Sequence, residues 1–139
     1  ADIDRCPVLH PHIGELITPL KQLIESLDTY QSIPQIEVAV ADNVTALVFR
    51  HLKLLPERDV QALIAFGEQH HCHIFLQGND AAVVPITPVQ DNNHPLYYEL
   101  PRHDLKLTFE PLDFIQINDA INQRLVERVL EQLDIKPGE

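Results

Sequence analysis

Basic residues are scarce in this chain: 10 Lys and Arg stand against 21 Asp and Glu, for a formal charge of −11. Affinity for nucleic acid comes largely from Lys and Arg displacing counterions from phosphates, so these residues by themselves are expected to bind RNA weakly or not at all. Cysteine is scarce too. Cys6 and Cys72 are too few for a disulfide framework, and reduced thiols are the default expectation. With 4 glycines and a hydrophobic content of 45%, collagen-like and disordered readings are excluded. No apolar run approaches the roughly 20 residues needed to cross a bilayer. Nor does the start, Ala1-Asp2-Ile3-Asp4-Arg5, have the basic opening and apolar stretch of a signal peptide. The chain reads as soluble and cytoplasmic.

What is present is patterning for one ordinary domain of 139 residues. From His12 to Leu27, Ile13, Leu16, Ile17, Leu20, Leu23, Ile24 and Leu27 recur at three and four, which predicts an amphipathic helix that is kinked at Pro19 or regular only from there. Ile36 to Val40 alternates as a strand does, Asp42-Asn43 supplies a turn, and Val44 to Phe49 is a β-branched return, together a hairpin. Pro56 and Glu57 open a second helix that ends around His70, with Val60, Leu63, Ile64 and Gly67 facing inward. Cys72 to Leu76 is a short apolar strand closed by Gly78-Asn79-Asp80. After a proline-punctuated stretch from Pro85 to Pro95, Leu96 to Leu100 and Leu105 to Phe109 form a second hairpin. Asn118 or Asp119 caps a last helix with Ile121, Leu125, Val126, Val129, Leu130 and Leu133 on one face. Strand pairs mixed with helices predict an α+β fold: an antiparallel or mixed sheet with helices packed on one face.

Two stretches carry more than fold information. Leu105 to Asn118 ends in Phe114-Ile115-Gln116-Ile117-Asn118 and leads through the last helix to Lys136-Pro137-Gly138-Glu139. It resembles the Phe-x-Gln-x-Asn region of the RNA uracil-5 methyltransferases that use S-adenosylmethionine. Asp4-Arg5-Cys6-Pro7-Val8-Leu9 is similar to the segment that carries the last cysteine ligand of the iron–sulfur cluster in the ribosomal RNA members of that family. The two segments bracket most of the chain in the right order. The resemblance implies a piece of a larger 23S rRNA enzyme, with residues 1–111 as a central α+β domain and 112–139 as the lead-in to the methyltransferase domain. In the family, the glycine-rich methyl-donor loop, the nucleophilic cysteine and the acidic base all lie downstream of such a tail. A basic β-barrel and the other cluster cysteines lie upstream. The 139 residues alone are therefore expected to be inactive and to hold no cofactor.

The resemblance also assigns candidate residues. Gln116, whose amide offers both donors and an acceptor, would contact S-adenosylmethionine. Phe114 would sit near the target base, which must leave the RNA stack before its ring can be reached. Cys6 would be one ligand of a 4Fe-4S cluster in the intact enzyme, since thiolates are the usual ligands and four are normal. Read from spacing alone, Phe114, Ile115 and Ile117 are ordinary strand and core positions and Gln116 is a solvated amide. Asn118 is foremost a helix cap, with a second use in holding Gln116. His70-His71-Cys72-His73 invites a metal reading, but consecutive strand residues point to opposite faces and no second ligand pair stands at zinc-site spacing. Histidines at a helix C-terminus, where the dipole favours them, are the plainer account. A function of another class stays open beside the enzyme: a stand-alone acidic α+β module that binds or regulates other proteins.

Overall fold

A computed structural model describes residues 3–79, 82–87, 95–115 and 118–133. The first helix, α1 (Pro11–Ser26), runs through Pro19 without ending there. An interior proline costs about 3 kcal/mol of helix stability. Burial of Ile13 and Leu16 on one side of it and Leu23 on the other offsets that. The segment ahead of α1 is pinned by an ion pair of 2.9 Å between Asp4 and Lys21.

The hairpin predicted around Asp42-Asn43 is β1 (Gln35–Val40) paired antiparallel with β2 (Thr45–Arg50). Helix α2 (Glu57–His70) then carries the chain back, so that β3 (Cys72–Gln77) lies parallel to β2, and a two-residue β4 (Val84–Pro85) pairs antiparallel with β3. The sheet order is β1-β2-β3-β4. Strand β2 is buried from Thr45 to Phe49, as a strand covered on both faces must be.

Alternation along β2 separates two cores. Leu47 and Phe49 face the helices and join Ile13, Leu16, Leu23, Leu27, Leu63, Phe66, Cys72 and Ile74. On the opposite face, Ala46 and Ala39 meet Leu96 and Phe109 from the second hairpin, β5 (Leu96–Leu100) with β6 (Leu105–Phe109), whose limits match those expected. The turn residues of the first hairpin clamp the second: Asp42 N–H donates to Tyr97 O at 2.9 Å and Glu99 N–H donates to the Asp42 carboxylate at 2.8 Å.

Helix α2 faces inward through Leu63, Phe66 and Gly67, with Val60 and Ile64 half-buried. Gly67 is where α2 crosses closest to β3. A Cβ built there falls 2.6 Å from Ile74 Cγ1 and 2.8 Å from both the Cys72 carbonyl oxygen and Thr87 Cγ2, so the approach requires the residue without a side chain.

One acid is at home in this interior. Asp59, in the first turn of α2 and 1% exposed, accepts the Asp28 N–H at 3.0 Å, the Thr29 N–H at 2.9 Å and the Thr29 hydroxyl at 2.5 Å. It ties the end of α1 to the start of α2. Burial pushes its carboxyl up, but these hydrogen bonds, joined by the nearby Arg58 charge, outweigh burial and hold it below the usual carboxylate value.

The last helix, α3 (Asp119–Leu133), begins at Asn118, whose side-chain oxygen accepts the Ile121 N–H at 3.0 Å, the capping bond expected of it. No helix among the described residues is long and apolar enough to cross a membrane. The result is the α+β fold read from the sequence, with α1 and α2 on one face of a mixed sheet.

Candidate functional site

The stretch from β6 into α3 holds the residues singled out for methyl-donor and base binding. Phe109 is buried in the second core and Ile115 packs against it, so the backbone on either side of Phe114 is anchored while the Phe114 ring itself is 87% exposed. Between them, Glu110 N–H donates to the Asp113 carboxylate at 2.8 Å, which closes a tight turn at Pro111-Leu112. The ring thus stands in water among these residues, where a core strand would have hidden it. The bond made by Asn118 settles its capping role. Gln116 and Ile117 lie outside the described residues, as do residues 134–139.

Cys6 sits apart from this stretch, ahead of α1, as a half-buried free thiol; Leu9, three residues on, packs on the first core. Cys72 is different in kind. It is buried at the start of β3, its thiol donates to the His70 carbonyl at 3.4 Å, and burial pushes its pKa up to about 11. A thiol so placed stays protonated near neutral pH, and the thiolate is the reactive and ligating form. Native protein is accordingly expected to react with a polar alkylating reagent at Cys6 first, with Cys72 modified only on unfolding. Mass spectrometry of briefly labelled native and denatured samples checks this, and rapid native labelling at Cys72 would contradict it.

The histidines around Cys72 diverge. The His70 ring lies 4.4 Å from the Phe66 ring, centroid to centroid, and His71 takes the left-handed conformation that ends α2, at φ 54°. His73 points away from Cys72 along β3, half-buried, and burial lowers its pKa. Among the described residues no group of three or more His, Cys, Asp or Glu side chains is placed to hold a metal ion. Cys6 is thus the one of the two thiols that lies outside the core.

Comparison with known proteins decides the relationship. Over 139 aligned positions the chain is 44% identical to the 23S rRNA (uracil(1939)-C(5))-methyltransferase RlmD of Acidithiobacillus ferrooxidans. It is 45% identical to RlmD of Nitrosococcus oceani and 42% identical to that of Xanthomonas campestris pv. campestris over the same number of positions. The chain is homologous to the RlmD methyltransferases along its whole length. Each alignment covers 99–100% of this chain but 30–31% of the relative, so the chain spans about a third of the length of the RlmD proteins it matches. No family model matches it. The homology extends through the middle of the chain, from α1 to β5, where no motif had been legible.

Proposed function

We propose that these residues form the central part of an enzyme that transfers a methyl group from S-adenosylmethionine to C5 of a uridine in 23S rRNA. Residues 1–111 are then a central domain, and 112–139 lead into the methyl-donor domain. The single observation that carries this is an identity of 42–45% to RlmD enzymes from one end of the chain to the other.

Within that reading each candidate has a task suited to its chemistry. Gln116 offers its amide to the methyl donor, and the exposed Phe114 ring offers a face to the extruded uracil. Cys6 contributes one ligand to a 4Fe-4S cluster, with Pro7 behind it restricting its backbone to extended conformations. Binding of ribosomal RNA falls to basic surface elsewhere in such an enzyme, because this part carries −11. Carbon methylation at uracil C5 requires a thiolate nucleophile and a base. Cys72, protonated and enclosed, cannot serve as the first, and the 139 residues alone are expected to transfer no methyl group.

The test of the site is Gln116→Ala in the intact enzyme. Loss of a hydrogen bond to the donor is expected to weaken S-adenosylmethionine binding about tenfold, the equivalent of roughly 1.4 kcal/mol, with the thermal unfolding curve unchanged. Calorimetric titration reads the affinity, and an unchanged value removes Gln116 from the donor site.

A further inference from the structure

Two anchors on the second core bracket Phe114. Phe109, the last residue of β6, is buried there, and Ile115 is half-buried against the same cluster. Between them the chain leaves the sheet through a turn that one residue closes twice. Asp113 N–H donates to the Glu110 carbonyl at 2.9 Å, and the Asp113 carboxylate accepts the Glu110 N–H at 2.8 Å. The first bond is that of a four-residue turn with Pro111 at its second position, where the fixed φ of proline is favoured. The second satisfies the first backbone donor past the β6 ladder, which ends at Phe109.

Phe114 comes directly after this turn and directly before Ile115, so its backbone is held on both sides. A side chain on a held backbone keeps a small set of staggered rotamers, and a group ordered before its ligand arrives loses less freedom on binding. The geometry points to Asp113 as a positioning residue: by holding the Glu110 N–H it sets the turn that presents the Phe114 ring to the extruded uracil. The inference rests on the reading of Phe114 given above. Asp113 itself is exposed, so its truncation leaves no cavity. The turn needs an acceptor oxygen and makes no use of the charge; asparagine carries such an oxygen and alanine does not.

Single-turnover methylation by the intact enzyme at saturating 23S rRNA tests it. Asp113→Ala is expected to slow that step about threefold to tenfold, the range for one net hydrogen bond, and Asp113→Asn to restore the parental rate. Affinity for the rRNA, which rests on phosphate contacts elsewhere, and affinity for S-adenosylmethionine stay unchanged. Thermal unfolding confirms that the variants fold. In a Phe114→Ala background, itself slowed, Asp113→Ala has no further effect, because the two residues act through one contact. A parental rate in Asp113→Ala, losses that multiply in the double variant, an Asp113→Asn enzyme as slow as Asp113→Ala, or a parallel fall in donor affinity overturns the inference and leaves Phe114 at the base. A Phe114→Ala enzyme as fast as the parent removes Phe114 from the base, and the inference with it.

Discussion

Phe49→Ala is expected to remove about 3–5 kcal/mol of stability, because Phe49 is the largest fully buried side chain among the described residues. Phe49 has no exposed surface, lies on the central strand β2, and reaches into the core shared by α1, α2 and β3. Its loss combines the transfer free energy of the ring with a cavity that the strands cannot close, because β2 is held by β1 on one side and β3 on the other. Domains of this size have about 5–15 kcal/mol in total, so the variant is left near the edge of folding. Urea denaturation checks this: the midpoint should fall sharply with the slope unchanged. A shift worth under about 1 kcal/mol would mean that the core is looser than the structure describes.

Asp59→Asn is expected to cost about 2–3 kcal/mol at pH 7, although it changes almost nothing in volume. All three groups that reach the Asp59 carboxylate are donors: two backbone N–H groups and the Thr29 hydroxyl. An amide that keeps its oxygen toward Thr29 turns its NH2 group against the Asp28 N–H, leaving that donor without a partner. The substitution also changes the pH response. The carboxyl of Asp59 is held below the usual value in the fold. Its contribution is therefore complete above the unfolded-state pKa near 4 and is lost as pH falls through the lower folded-state value. Unfolding curves collected from pH 7 down to pH 2 should show a steep acid limb in the native protein and a flatter one in Asp59→Asn. Parallel limbs would show that Asp59 titrates alike in both states.

Elements were legible in the sequence wherever local chemistry decides them. Asp42-Asn43 between alternating segments gave the first hairpin, and Pro101 to Asp104 gave the second with matching limits. The three helices followed from apolar spacing and the caps at Pro56 and Asn118. What escaped was set by distant partners. The parallel pairing of β2 with β3 depends on how α2 packs, the short β4 follows β3, and neither leaves a local signature. Pro19 suggested a helix kinked there or regular only from there, and the helix runs on both sides of it, from Pro11 to Ser26. Asp59 reads as a surface acid at a helix start, and only the end of α1, thirty residues earlier, makes it a buried tie. Of the candidate site, the cap at Asn118 was identified by residue; Phe114 was named from the resemblance, and its exposure came from the fold. Gln116 rests on its resemblance to the family motif, because nothing local distinguishes a ligand-binding amide from a solvated one.

The most direct test of the central claim is an exchange of parts. The corresponding third of the Nitrosococcus oceani RlmD, 45% identical to this chain, is replaced by these 139 residues, and methylation of unmodified 23S rRNA is followed by mass spectrometry. The account predicts a folded chimera that forms 5-methyluridine in the ribosomal RNA, and that loses donor affinity when Gln116→Ala is introduced. A chimera that folds and binds S-adenosylmethionine yet leaves the rRNA unmethylated would contradict it.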